Sequence, residues 1–576
     1  MRKLKFQSYR DLHKKFMKAF SFTGAVLCFL MLSQGAAAQA KLINILDEEV
    51  QREIQILKQQ EMPVYYISYR VDETTGYNIS ALFGSLIYSD GSRRRSLTVT
   101  VRVGSPALDN FHLLHDDTDY AGYAEMDLPY GDEPPAVKQV LWMATHEAYQ
   151  QAVSRMTKVK THTAVKVEEE DRTVDFVLEN PNVFMDPVLD PREIKFDIPA
   201  WESRLKKCTA AFLKDPAIFY GSGWAGYSIT RKYFVSSQGD KIAQNTVTAN
   251  AGFYGIIKTQ DGMEMPLVNT YFAFRPEGLP SDKAMLNDVT TLVNNLVVLK
   301  NAPIAEPYSG PALLSGKAAA VFFHEILGHR IEGFRMKNEN DAQTLKKKIN
   351  ELVLPATFNI YCDPQMKKFA GQDLKGYYLF DDQGTKGQKV PIVESGVLKN
   401  FLMSRTPING FPKSNGHGRA QAGFQPVSRQ SNLVVETMQP KTKEELRAEL
   451  MKQTKEQNKP YGYLIEEVVG GFTQVGRFMP NAFNVVPTLV YRVYTDGRPD
   501  EVVRGVDMIG TPLSMFSQID QAGGKSEIFN GICGAESGGV PIAAICPMLL
   551  VKIIETQKKV KSQERPFILS RPDNTD

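Results

Sequence analysis

The stretch from Ala318 to Gly333, AAAVFFHEILGHRIEG, constrains the fold more than any other part of the chain. It places two histidines and two glutamates in one of the most apolar segments. Ala318, Ala319, Ala320, Val321, Phe322, Phe323, Ile326, Leu327 and Ile331 leave no wide polar face at helical spacing. The stretch therefore predicts a helix buried nearly all round, with a core built about it. Ionisable groups in such a core must be paired, neutralised or bound to a metal, because an unpaired buried charge is very costly.

A core histidine bonded to a backbone carbonyl accounts for one imidazole alone. His324 followed directly by Glu325 and then by His329 suggests the chemistry of a zinc hydrolase: two imidazoles hold the ion, and the carboxylate between them takes a proton from its water. The spacing is one residue too long for a regular helix. Residues i and i+4 lie about 40° apart around the axis, whereas i and i+5 lie about 140° apart. A one-residue π-bulge, accommodated at Gly328, would return His329 to the face of His324, so a bulge or kink is expected between Glu325 and His329. By contrast, His146-Glu147 has no second histidine and reads as an ordinary pair on a helix surface.

Catalytic zinc usually has a third protein ligand and one open position. Cys533 lies in FNGICGAESGGVP, where glycines allow close approach to a buried ion. On composition alone it is equally a disulfide partner or a buried thiol. Cys546, in PIAAICPMLL, reads as a small core hydrophobe.

With 576 residues, 43% of them hydrophobic, the chain is long enough for two or more packed domains. Residues 1–40 read as an export signal: a basic start, an apolar run from Phe20 to Leu32, and a small-x-small cleavage site at Ala38-Gln39-Ala40. That run is too short to span a bilayer comfortably, and no later segment reads as a membrane helix, so no stable membrane span is expected. The expected location is periplasmic or secreted. Those forty residues hold seven of the 68 basic residues and one of the 65 acidic ones, which leaves 61 against 64, a net of −3. The basicity belongs to the signal, and with no basic stripe carrying interleaved aromatics, nucleic acid is not an expected partner. Four cysteines remain beyond the signal, Cys208, Cys362, Cys533 and Cys546, too few for a disulfide framework.

Residues 43–60 carry apolar residues at helical spacing, and strands follow, turning at Asp90-Gly91. The acidic HDDTDYAGYAEMDLPYGDEPP reads as a surface loop rather than a calcium loop, lacking the regular ligand spacing. Helices are expected over 136–158 and 281–299. The Pro- and Gly-rich NAPIAEPYSGPALLSG marks a boundary near residue 302. Beyond the histidine helix come many short strands and one polar helix, started by a capping box at Thr442 and Glu445. The fold class is α+β: signal 1–40, mixed α/β domain 41–301, and β-rich domain 302–576 with the buried helix.

Five blocks make the C-terminal half recognisable: SGKAAAVFFHEILGHRIEG, DDQGT from Asp381, ESGVLKNFL from Glu394, NGHGRAQAGFQPVSRQSN from Asn415, and NGICGAESGGVPIAAICP up to Pro547. In this order they resemble the TldD/PmbA metallopeptidase family, in its TldD-type branch that bears the His-Glu motif. The resemblance implies Zn2+ held by His324, His329 and Cys533, with Glu325 as catalytic base. It also implies unfolded or flexible peptide substrates and a dimeric chamber, either a homodimer or a heterodimer with a paralogue lacking the motif. The chain is longer than the typical cytoplasmic member and carries an export signal, so cytoplasmic substrates do not carry over.

Within NGHGR, one reading is a Gly-rich turn with a structural Arg419. The other is catalytic, with His417 or Arg419 stabilising the tetrahedral oxyanion. The expected function is that of an exported zinc peptidase. The alternatives are a peptide-binding subunit with a structural metal, and a metal-free interaction protein with a Cys533–Cys546 disulfide.

Overall fold

A computed structural model describes residues 41–114, 123–165, 171–477 and 481–559. Residues 1–40, expected from the sequence to be an export signal, and residues 115–122 of the acidic stretch lie outside the described residues. The architecture is α+β, built on an eight-stranded sheet and an eleven-stranded sheet.

The first sheet grows from a long hairpin, Val64–Leu82 against Ser85–Ser105, continued by Ile218–Ser236, Lys241–Lys258 and Glu264–Ala273. The hairpin does not turn at Asp90-Gly91. Those two residues lie within the second strand, opposite Asn78 and Tyr77, and the chain reverses at Phe83 and Gly84, with φ of 46° and 87°. A two-residue turn with positive φ at both positions matches the twist of the flanking strands, and pairing along the whole hairpin holds Phe83 in a conformation rare for its type.

Val64 to Val103 supply one face of the hairpin's base, where Ile67, Tyr69, Val71, Val99 and Val101 meet Val137, Leu141 and Ala148 of the helix Pro134–Val165. At the other end Ile79, Ala225 and Phe253 pack with the helices Ile198–Ala210 and Asp282–Asn301. The first of these two helices was not expected from the sequence. Asp197 caps it by accepting from Ala200 N, and a proline stands in its first turn.

The second sheet is organised by its last strand, Gly538–Lys558, which pairs with Ile519–Ala535, Val506–Gly510, Asn432–Thr437 and Tyr308–Leu314. The apolar helix Gly316–Ile326 lies against it, and every residue of that helix except Lys317 is buried. Thr442 begins the polar helix Lys443–Glu456 with both bonds of the capping box in place.

The two sheets meet through buried charge. Asp382 accepts from Lys232 and lies 3.4 Å from Arg70, both on the first sheet, while Lys337 donates to the carbonyls of Thr173 and Val174. Burial alone would raise the Asp382 carboxyl, but Arg70 and Lys232 hold it down at about 2. Among the described residues no helix is long and apolar enough to cross a membrane.

A candidate metal centre

The strand Tyr308–Leu314 leads straight into the histidine helix. Ser315 starts it: its hydroxyl accepts from Ala318 N at 3.1 Å and donates to Glu466 O at 2.7 Å, fixing the helix end to the strand Tyr461–Thr473. The helix stops at Ile326. Leu327 closes it with φ −114° and ψ −47°, and Gly328–Arg330 forms a 3₁₀ turn in which Arg330 N donates to Leu327 O.

The break expected between Glu325 and His329 is therefore present, but it tightens the chain where a π-bulge would have widened it. Ending the helix at Leu327 frees His329 from helical registry altogether. Gly328 serves a different purpose from the one expected: a Cβ there would sit 2.1 Å from Gln430 Oε1, so the glycine makes room for a buried amide.

His324 and His329 come together with ring centroids 5.2 Å apart. Cys533, on the strand Ile519–Ala535, brings its Sγ to 3.3 Å from His329 Nε2. Potential ligand atoms of the three residues all lie within 4.8 Å of one another, and all three are buried. A tetrahedral zinc with bonds of about 2.0–2.3 Å needs ligand atoms about 3.3–3.7 Å apart, which this cluster approaches. His324 Nδ1 is buried without a hydrogen-bond partner, a further sign of a site built for something other than protein contacts. The donor set of two imidazoles and a thiol suits zinc. Burial works against a thiolate at Cys533, yet His329 and His324 beside it hold the thiol well below its usual range. A Cys533–Cys546 disulfide is incompatible with the sheet. Cys533 pairs with Val540 and Cys546 with Glu527, which separates the two cysteines by about 20 Å along the strands.

Glu325 lies next to the cluster, 4% exposed, with burial raising its carboxyl above the usual range against the pull of His324 and His329. Its side chain lies over Gly471, where an added Cβ would come within 2.7 Å of Glu325 Cγ. Arg330 anchors its backbone, donating to Glu325 O at 2.7 Å and to Thr473 Oγ1 at 2.9 Å. His324, Glu325, His329 and Cys533 all open onto one cleft of about 1570 Å³. One wall is the helix Pro134–Val165, through Gln150, Ser154 and Lys158. The other exposes Val469, Phe472 and Ile532.

His417 and Arg419 are not brought to this cleft. His417 is fully buried, with Nδ1 3.0 Å from Asn415 Oδ1 and Nε2 3.1 Å from Ser431 Oγ, and burial with the nearby Arg419 pushes its imidazole down to about 3. Arg419 lies 4.6 Å over the Tyr378 ring and donates to Gln430 O. Both hold the NGHGR turn together, and neither lines the cleft, so the geometry corrects the expectation that they meet the oxyanion.

Glu332 was not singled out from the sequence, although its place three residues after His329 is the available signal. It is 0% exposed and accepts from His329 Nδ1 at 3.1 Å and from Arg335 Nε at 2.9 Å. Burial opposes its charge, but His329 and Arg335 hold it at about 2.

Residues 307–558 match the family model described as the PmbA/TldA metallopeptidase C-terminal domain. A protein named "Metalloprotease" from Archaeoglobus fulgidus is 29% identical over 269 residues, 45% of this chain and 56% of the relative. A "Zinc metalloprotease TldD homolog" from Saccharolobus solfataricus is 25% identical over 272 residues, 46% of this chain and 56% of the relative. The chain thus spans little more than half the length of these relatives. The crystal structure of TldE from Thermococcus kodakarensis shares the fold with a TM-score of 0.61 at 15% identity, covering 88% of this chain and 99% of that one. The C-terminal unit, residues 307–558, is thus similar to the C-terminal domain of the PmbA/TldA metallopeptidases, and the chain as a whole shares the fold of TldE.

Proposed function

We propose that the protein is a zinc-dependent peptidase acting on unfolded or flexible peptides. The observation that carries this reading is the convergence of His324, His329 and Cys533 with Glu325 on the floor of one large cleft. His324, His329 and Cys533 would hold the ion, which when bound supplies Lewis acidity and a water of lowered pKa.

Glu325 would take a proton at its carboxylate and later give it to the leaving amine. Burial keeps its carboxyl above the usual range, closer to what a neutral-pH base needs. Arg330 fixes the Glu325 backbone, and Gly471 leaves space for its side chain. The strand Tyr461–Thr473 pairs with Tyr308–Leu314 only through Tyr463–Ile465; beyond that, among the described residues, its second edge has no partner strand. That free edge would bind an extended peptide through main-chain hydrogen bonds, with Val469 and Phe472 against its side chains. Residues 1–40 support export to the periplasm or medium, and the family resemblance supports a dimer, with itself or with a paralogue.

The test is cleavage of an unstructured protein by residues 41–576 beside Glu325→Gln, with zinc measured on both. Cleavage by wild type alone, with zinc in both, supports the peptidase. Zinc in both and cleavage by neither, across several substrates and with a paralogue added, would favour a peptide-binding subunit with a structural metal.

A further inference from the structure

The two peptide segments that bring His329 and Cys533 together lie 204 residues apart in sequence. Two guanidiniums connect them, and only that of Arg429 reaches the Cys533 backbone itself. Arg429, 0% exposed, donates from Nη2 to Cys533 O at 2.6 Å and from Nη1 to Ser537 Oγ at 2.8 Å and Gly538 O at 3.0 Å, gripping the hairpin that carries the cysteine. Its Nε faces Glu332 Oε1 at 3.4 Å, and neither atom has a hydrogen-bond partner elsewhere. Glu332 in turn accepts a hydrogen bond from His329 Nδ1 on its other oxygen. Arg335 makes a parallel link, from Glu332 to Glu536 at 2.7 and 2.8 Å.

A hydrogen bond from Nδ1–H to a carboxylate fixes the imidazole tautomer and leaves Nε2 bare, and here that atom is the one facing Cys533. A buried carboxylate stays ionised, and so keeps accepting such a bond, only while it has cationic partners of its own. We propose that Glu332 and Arg429 are positioning residues for the metal. Glu332 sets the tautomer and tilt of His329, and Arg429 sets the distance between that imidazole and the Cys533 thiolate by tying Glu332 to the Cys533 backbone. The inference rests on the metal-centre reading above, not on which bond is cleaved.

The test uses residues 41–576 with cobalt(II) as the probe, comparing wild type with Arg429→Lys and Glu332→Gln. Arg429→Lys keeps the charge beside Glu332 but loses the fork that grips the hairpin. Glu332→Gln keeps an acceptor for His329 but loses the charge. The readouts are cobalt affinity by chelator competition, the thiolate-to-cobalt charge-transfer and d–d absorption bands, and kcat apart from KM. Folded variants should bind cobalt about 10–100-fold more weakly, with a shifted or weakened charge-transfer band, reduced kcat and little change in KM. Affinity within about twofold of wild type and an unchanged spectrum in Glu332→Gln, and in Arg429→Lys if it folds, would overturn the proposal. Should Arg429→Lys fail to fold, the nearly isosteric Glu332→Gln decides alone. A wild type that shows the thiolate–cobalt band yet cleaves nothing counts against the peptidase and leaves this inference standing. A wild type that takes up no cobalt overturns both.

Discussion

The C-terminal unit holds two buried histidine sites, and they differ in what they leave unsatisfied. Around His417 every ring nitrogen has a protein partner, with Asn415 on one side and Ser431 on the other, and its neighbour Arg419 is stacked on Tyr378. Around His324 and His329 one ring nitrogen of each lies within 4.8 Å of the Cys533 thiol at the edge of a cleft, and His324 Nδ1 has no hydrogen-bond partner. Both motifs combine histidine with glycine and arginine in sequence. What separates them is closure: a cluster that satisfies itself braces the fold, and one that does not is built for a ligand.

The sharpest way to break this contrast is to remove a group from each cluster in turn. His329→Ala or Cys533→Ser should take bound zinc from stoichiometric to negligible, a loss beyond the about 100-fold typical of supporting residues, while the far-ultraviolet CD stays native. Zinc analysis on the purified proteins checks it. Retention of full zinc by both variants would contradict the ligand set.

The sealed region should respond in stability instead. Asp382 accepts from Ala420 N at 2.8 Å and so ties the NGHGR segment to Arg70 and Lys232 of the first sheet. Asp382→Asn takes the carboxylate from Lys232 and leaves Arg70 with Asp72 alone, and should cost about 3 kcal/mol at neutral pH. Because the folded carboxyl sits at about 2, below its unfolded value, its contribution is complete above about pH 4 and is lost as the pH falls toward 2. The gap in urea-unfolding free energy between wild type and variant should therefore close over that window. A gap that stays constant with pH would show that the carboxylate's charge is not what matters.

His417→Ala is the smaller counterpart. It removes the Ser431 hydroxyl's partner in the interior, at about 1–3 kcal/mol, while the Asn415 amide keeps its bonds to Met403 N and Phe401 O. Zinc content and the turnover of the folded fraction should match wild type. A fall in turnover larger than the fall in stability would restore His417 to the chemistry.

How far the sequence reveals this contrast depends on the range of the interactions that create it. The buried helix was legible because its apolar run is local, and the capping box at Thr442 because its bonds span three residues. The hairpin turn was misread. Asp90-Gly91 has turn chemistry, but pairing along the whole hairpin places the reversal at Phe83-Gly84, where phenylalanine gives no local signal. The helix break at Leu327 is foreseeable from the five-residue spacing, whereas the packing of Gln430 against Gly328 in the 3₁₀ turn comes from a distant segment. The same holds for Glu332 and Arg429, whose placement is decided where two remote segments meet. Nothing in NGHGR itself distinguishes a sealed histidine from an exposed one. That depends on Ser431 and Asp381, the latter accepting from Gly418 N.

The finest probe of the contrast is Gly471, which touches the proposed base, Glu325, and none of the three proposed ligands. A methyl group there would stand 2.7 Å from both Glu325 Cγ and Asn484 O, and 2.9 Å from Glu325 Oε1. Asn484 is backbone in the paired strand Phe483–Tyr494 and yields little, so the Glu325 carboxylate must swing aside. A displacement of about 1 Å can cost up to about 100-fold in rate, and for a carboxylate with some freedom we expect about 10-fold in kcat for Gly471→Ala. Zinc content should not change, since His324, His329 and Cys533 are untouched. Adding Glu325→Gln should leave the glycine substitution without further effect, because the group it displaces no longer acts as a base. If Gly471→Ala instead lowers zinc content, or slows the Glu325→Gln enzyme as much as wild type, the glycine supports the strand rather than the base. Glu325 would then no longer be the element that makes the open cluster reactive where the sealed one is inert.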